Sequence, residues 1–259
     1  MPELPDVEVF RQQLAATSLH QEIEAVAIDA PKMLQDVSAE DLRSALLGTA
    51  FETTHRHGKY LFAELARGPW LVLHFGMTGR LDYTERDAEP PRHARLTIDF
   101  ENGHRLAGIW QRRLGKIGMT TDPKSFVAEH ELGPDALGLA CSDLREMLAR
   151  RRGGLKSALM DQAFIAGLGN VYTDEILFHA GLDPARPAAD LGDDVEKLHR
   201  ATRHVLELAI ERRAEPERLP DTWLLPHRKS EARCPRCGTP IDKVQTAERT
   251  GYRCPDCQG

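Results

Sequence analysis

Apolar residues recur along this chain at two periods, and the change from one to the other divides it. Close to the N-terminus Val7, Phe10 and Leu14 are spaced as on one face of a helix, which predicts a short helix over about Asp6 to Ala16. β structure follows. Ile23, Ala25 and Ala27 alternate with Glu24 and Val26, and Leu96, Ile98 and Phe100 alternate with Arg95, Thr97 and Asp99. The second of these runs into Asn102-Gly103, a strong hairpin signal, before the apolar stretch His104 to Trp110. Tyr60 to Leu65 and Trp70 to Phe75 are short apolar runs split by Arg67-Gly68-Pro69. Several short strands separated by turns predict a sandwich or a barrel.

From Ser142 onward the period is helical. Leu144, Met147 and Leu148 form one stripe, and Val195, Leu198, Thr202, Val205 and Leu208 form another on a long helix. Between them Gly167-Leu168-Gly169-Asn170 reads as a tight helix–turn–helix, two glycines closing one helix and an asparagine opening the next. The backbone amides of such a turn suit a phosphate, although most turns of this kind are plain corners. Glu215 to Pro220 reads as a linker, and the 259 residues are enough for two ordinary units, each with its own core.

Composition narrows the class. Hydrophobic residues make up 41% and charged residues 29%, and no apolar run approaches the roughly 20 residues a bilayer span needs. The acidic start MPELPDVEVF lacks the basic and apolar segments of a signal peptide, so a cytoplasmic protein is expected. A net charge of −6 and a pI near 6.0 weigh mildly against nucleic acid as a partner. The distribution of charge weighs the other way. Arg112, Arg113 and Lys116, then Arg150, Arg151, Arg152 and Lys156, then a tail from Leu225 with seven Lys/Arg against four Asp/Glu gather positive charge, while Asp190 to Glu196 is acidic. Arg151 and Lys156 are therefore candidate DNA contacts.

Two CxxC knuckles, Cys234-Pro-Arg-Cys237 and Cys254-Pro-Asp-Cys257, suit one tetrahedral zinc on a ribbon hairpin with a strand over Ile241 to Val244. Four thiolates leave no open coordination position, so the zinc is read as structural. Cys141 has no partner in sequence and reads as a small buried residue. Proline at position 2 permits removal of Met1, which leaves Pro2 with a secondary amine partly neutral at pH 7. Such an amine attacks a sugar anomeric carbon to give an iminium, and the adjacent Glu3 is placed to protonate the ring oxygen.

Met-Pro-Glu-Leu-Pro-Asp-Val-Glu, His-Gly-Lys59-Tyr-Leu, Gly-Leu-Gly-Asn170-Val-Tyr and the terminal cysteine pairs, in this order, resemble the formamidopyrimidine-DNA glycosylase/endonuclease VIII family over essentially the whole chain. The resemblance implies an α+β multidomain protein. A β-sandwich with an N-terminal helix would span residues 1–130, a helix–two-turn–helix domain 131–222 and a four-cysteine zinc finger 223–259, with DNA held in the cleft between the halves. It implies a monomer acting on damaged double-stranded DNA in base-excision repair. In that reading Pro2 is the Schiff-base nucleophile, Glu3 the acid and Lys59 a general acid and phosphate contact. Asn170 and Arg249 grip phosphate at the lesion, Arg249 also assisting the second elimination. His74 and His93 contact DNA, and Met77, Arg112 and Leu114 fill the gap left by the extruded base.

Two departures bear on the lesion. Where the formamidopyrimidine branch has Asp-Pro-Arg-Arg-Phe-Gly, this chain has Trp110-Gln111-Arg112-Arg113-Leu114-Gly115, so an aliphatic wedge replaces an aromatic one. The segment between Glu211 and Cys234 is short and Pro-rich where that branch carries a longer loop over the damaged base. The opening PELPDVE favours removal of oxidised or ring-opened purines. An endonuclease VIII-like activity on oxidised pyrimidines or abasic sites, or a non-catalytic damaged-DNA binder, stays open at this point.

Overall fold

The first helix, α1, runs over Leu4–Thr17, slightly beyond the Asp6 to Ala16 that apolar spacing alone predicts. Pro5 is tolerated in the first turn, where its missing N–H would have no partner, and Asp6 complements the positive helix end. The computed structural model describes residues 1–66, 68–229, 231–246 and 249–259; Arg67 of the expected Arg67-Gly68-Pro69 break lies outside the described residues. Two units are defined, Met1–Pro2 with Asp6–His130 and Glu3–Pro5 with Glu131–Gly259.

The first unit continues through β1 (Ile23–Ile28), β2 (Leu34–Gln35), α2 (Ala39–Leu46), β3 (Phe51–His57), β4 (Tyr60–Leu65), β5 (Trp70–His74), β6 (Gly79–Glu85), β7 (Ala94–Phe100), β8 (His104–Trp110), β9 (Lys116–Thr120) and α3 (Pro123–Glu129). A four-stranded sheet in the order β1-β7-β8-β6 and a five-stranded sheet in the order β2-β9-β5-β4-β3 make the sandwich. Their inner faces share one core, with Leu96, Ile98, Phe100 and Trp110 from one sheet and Leu61, Leu71, Leu73 and Ile117 from the other. β4 and β5 are apolar apart from Glu64 and His74 because their sheet is covered twice. Its second face buries Phe62 and Val72 under Phe126 of α3. At the β7–β8 turn Gly103 adopts φ +77, which a side chain would strain.

β1 departs from the alternation read in sequence. Ile23 and Val26 are buried while Ala25 and Ala27 are exposed, because the register shifts between Ile23 and Ala25 and turns the following residues over.

The second unit is helical: α4 (Cys141–Ala149), α5 (Leu155–Met160), α6 (Asn170–Ala180) and α7 (Asp194–Glu211) precede a hairpin of β10 (Asp242–Thr246) and β11 (Arg249–Arg253). Leu144, Leu148, Val195, Leu198 and Val205, the stripes legible in sequence, pack around Ile176 and Leu177 of α6, and half-buried Cys141 lies against the same core. A smaller cluster of Phe178, Leu224, Ala232, Cys234, Ile241 and Cys254 seats the hairpin on α6. The linker Glu215–Arg218 is exposed, but Leu219 is anchored in the helical core. Among the described residues no helix is long and apolar enough to cross a membrane.

Candidate active site

Glu3 is the most tightly held polar side chain near the N-terminus. It is 1% exposed. Its carboxylate accepts from the backbone N–H groups of Gly169 at 2.9 Å, Val171 at 2.9 Å and Tyr172 at 3.2 Å, the unpaired donors at the start of α6. The positive end of the helix dipole favours an acid there. The Leu4 N–H also donates to Gly167 O at 3.0 Å, so the residue following Glu3 is fixed as well. Two sequence readings change here. Gly167 and Gly169 do not close α5, which ends at Met160, but end the loop that leads into α6. The Gly169, Val171 and Tyr172 amides are taken by Glu3 and are not open to a phosphate. Glycine is needed at 169 because a Cβ there would fall 2.8 Å from Glu3 Cγ and closer still to the carboxyl group. Pro2, half-buried, is bonded directly to this anchored residue.

In the sandwich, Lys59 sits with Gly58 at the two-residue turn between β3 and β4, where His57 pairs with Tyr60. The turn is braced by Arg56, which donates to Gly58 O at 3.1 Å and to Glu8 of α1 at 3.1 Å. β4 and β5 pair Tyr60 with His74, their rings 4.9 Å apart, and β5 and β9 pair His74 with Lys116. Burial, helped by the Lys116 and Lys59 ammonium groups, depresses the pKa of His74 to about 4. At neutral pH it is therefore uncharged, its Nδ1 accepting from the Gly76 N–H at 3.3 Å.

Two further predicted residues meet at the turns beyond β5 and β8. Met77 is 42% exposed and Leu114 50% exposed, unusual for large apolar side chains in this chain. The turns that carry them touch: a Cβ on Gly76 would lie 2.5 Å from the Leu114 carbonyl carbon, and Gly76 adopts φ +61. Arg112, exposed, is tied in by its N–H to Thr78 Oγ1 at 3.3 Å. His93, with φ +69, accepts from Trp110 N at 3.0 Å through its carbonyl, and its ring lies 3.4 Å from Arg95 Nη2. Partial desolvation and then the charges of Arg92, Arg95, Arg113 and Arg80 lower its pKa, which marks a locally positive surface.

Lys156 is not where its charge run suggested. It is 0% exposed, and its ammonium donates to Asp174 at 2.5 Å. Asp174, itself buried, also accepts from Arg228 Nη2 at 2.8 Å and Tyr252 N at 3.0 Å, so it joins α5, α6, the approach to the hairpin and β11. A direct DNA contact by Lys156 is therefore corrected to an internal tie. Burial pushes the Lys156 pKa down and the adjacent carboxylate opposes this. Arg151 differs: it pairs with Asp161 at 2.6 Å and lies 5.0 Å over the Phe164 ring, but a third of its side chain stays exposed. Asn170 donates to Thr250 O at 2.8 Å, which links the start of α6 to β11, while its Oδ1 is buried with no partner among the described residues. Arg249, the first residue of β11, is exposed.

Cys234, Cys237, Cys254 and Cys257 converge, their Sγ atoms all within 4.8 Å of one another. The Cys234–Cys257, Cys237–Cys254 and Cys237–Cys257 separations are 3.8, 3.4 and 3.5 Å. These are too long for disulfides and close to the edge, about 3.8 Å, of a tetrahedron with zinc–sulfur arms of about 2.3 Å. The donor set fits a metal.

Sequence reasoning missed Asp174, Arg228 and Trp110. A single Asp inside α6 gives no signal of the charge it meets from distant segments. Trp110 was visible only as a departure from the expected motif.

The family model for the formamidopyrimidine-DNA glycosylase N-terminal domain matches residues 1–117, and that for the formamidopyrimidine-DNA glycosylase H2TH domain matches residues 132–219. The chain is 34% identical to the formamidopyrimidine-DNA glycosylase of Laribacter hongkongensis over 273 residues, covering 100% of both. This chain belongs to the formamidopyrimidine-DNA glycosylase family. Another member, from Geobacter metallireducens, is 35% identical over 269 residues with 100% of both chains covered. Among solved structures of the family, MutM in complex with DNA containing carbocyclic 8-oxo-G superposes with a TM-score of 0.89 at 28% identity, covering 99% of both chains. Lactococcus lactis Fpg in complex with abasic-site DNA gives 0.89 at 27% identity, again over 99% of both. These relatives do not favour the endonuclease VIII-like alternative or a non-catalytic binder.

Proposed function

We propose that this chain is a base-excision-repair DNA glycosylase with abasic-site lyase activity that removes oxidised or ring-opened purines, using the amine of Pro2 once Met1 has been removed. Besides family membership, one observation carries the site assignment. The Glu3 carboxylate is buried against three backbone N–H groups at the head of α6, so the residue bonded to Pro2 is fixed as a catalytic group must be. Met1 is 42% exposed and accessible to trimming.

The Pro2 nitrogen bonds to C1′ as the bond from C1′ to the damaged base breaks, the base leaving with that electron pair and taking up a proton from water, and the ammonium so formed passes its proton to the Glu3 carboxylate. Glu3 gives that proton on to the ring oxygen as the C1′–O bond opens, leaving an iminium. Loss of a proton from C2′ then expels the 3′ phosphate, and a second elimination expels the 5′ phosphate. Lys59 supplies a proton and a compact charge for phosphate. Asn170 and Arg249 hold phosphate near the lesion. His74, His93 and Arg112 contact DNA, and Met77 and Leu114 occupy the space of the extruded base.

The four cysteines would hold a structural zinc that closes the β10–β11 hairpin and presents Arg249. The enzyme acts as a cytoplasmic monomer on damaged duplex DNA. Borohydride reduction tests the chemistry. The trimmed protein should form a covalent adduct with abasic-site DNA, and Pro2→Gly or a form retaining Met1 should lose most of it. Absence of an adduct from the trimmed protein overturns the assignment. Cleavage of duplexes carrying single defined lesions tests the purine preference.

A further inference from the structure

We propose that Trp110 is a positioning residue that sets the spacing of the two turns carrying Met77 and Leu114; the inference rests on reading those side chains as the wedge. Trp110 ends β8, is fully buried, and stacks on Phe75 with ring centroids 6.0 Å apart and planes at 14°. Three glycines make room for its indole. A Cβ on Gly79 would lie 2.5 Å from Nε1, one on Gly108 would lie 2.6 Å from Cη2, and one on Gly115 would overlap Nε1 as well. Gly79 follows the Met77 turn and Gly115 follows the Leu114 turn, so both backbones rest on the same pyrrole edge. Gly76 meanwhile abuts the Leu114 carbonyl.

The indole is thus a rigid brace against which both turns rest along one edge. Its Nε1–H is buried with no hydrogen-bond partner among the described residues. That costs stability and indicates that shape, not hydrogen bonding, is what the indole contributes here. The aliphatic Leu114 tip cannot stack on a flanking base as an aromatic wedge does. A fixed separation from Met77 lets the two side chains enter the duplex together without being ordered at that moment.

Trp110→Leu tests this, because it keeps an apolar side chain against Phe75 and removes the pyrrole edge that touches Gly79 and Gly115. Gly115→Ala perturbs the same contact from the backbone side and serves if the first variant folds poorly. Base displacement is followed by stopped-flow fluorescence of 2-aminopurine beside the lesion, and base release under single turnover. Either variant should slow both on duplex DNA about tenfold, since displacement of a group by about 1 Å costs up to about a hundredfold. Borohydride trapping on a single-stranded abasic oligonucleotide, which has no opposing base to displace, should stay within about twofold. Equal slowing on both substrates, or none on the duplex, overturns the proposal. A Met77→Ala/Leu114→Ala double variant separates the layers. If it slows duplex extrusion while the Trp110 and Gly115 variants do not, only the role of Trp110 fails. If it too has no effect, the wedge reading fails.

Discussion

Gly169→Ala adds a single methyl group and should disable the anchor of Glu3. The backbone at Gly169 (φ −132, ψ −164) is open to alanine, so no conformational strain enters and the effect is steric. The new Cβ would stand 2.8 Å from Glu3 Cγ and closer to the carboxyl group, where real Cβ atoms stay beyond 3.0 Å. Carbon contacts settle at about 3.5–4.0 Å, so the carboxyl must withdraw by about 1 Å. That breaks or stretches its bonds from Gly169 N and Tyr172 N, now 2.9 and 3.2 Å. Overpacking costs about 1–3 kcal/mol, and each charge-assisted bond lost about 1.5–3 kcal/mol. Relaxation recovers part of this, which leaves a loss of about 2–4 kcal/mol of stability. A catalytic group misplaced by about 1 Å loses up to about a hundredfold in rate. The assays are urea denaturation and single-turnover base release, with Gly138→Ala as the control, since a Cβ there meets only Asp135 O at 4.0 Å. If Gly169→Ala matches that control in both, Glu3 is not held as described or its position does not matter to base release.

Other perturbations read separate parts of the site. His74 has a folded pKa of about 4 against an ordinary 6.5. Its contribution is therefore complete above pH 6.5 and lost as pH falls toward 4, by up to about 3 kcal/mol; His74→Asn should flatten the stability–pH curve in that window, as urea titrations at pH 4.5 and 7 would show. Lys156→Met should cost about 3–5 kcal/mol by leaving part of the Asp174 charge unpaired, yet leave the salt dependence of DNA binding unchanged. Arg112→Ala should instead lower the slope of log K against log salt by about 0.9 if its head meets a phosphate, and leave it unchanged if it meets only a base. Cys254→Ala, or a strong chelator, should release one equivalent of zinc by mass spectrometry and weaken DNA binding, because the cluster seating the hairpin contains two of the ligands, Cys234 and Cys254.

What was legible in the sequence was whatever a local rule controls. The helical stripes on α4 and α7, the Asn102-Gly103 turn and the four cysteines each depend on neighbours a few residues away or on a fixed ligand spacing. β1 escaped because a bulge is a property of pairing with β7, not of the strand alone. Lys156 illustrates the harder limit. Four positive residues within seven positions look like a solvated or phosphate-facing run, and Arg150 and Arg152 are exposed as that reading requires. The fourth faces inward because Asp174, eighteen residues later, supplies a charge that makes burial tolerable. Glu3 shows the converse. The glycine turn was rightly read as a set of backbone donors seeking an anion, but the anion turned out to be a carboxylate more than 160 residues away in sequence. A donor set of this kind identifies the charge of its partner and not its source. Only the fold decides whether the partner is a ligand or the chain itself, and here that choice places an acid beside the proposed nucleophile.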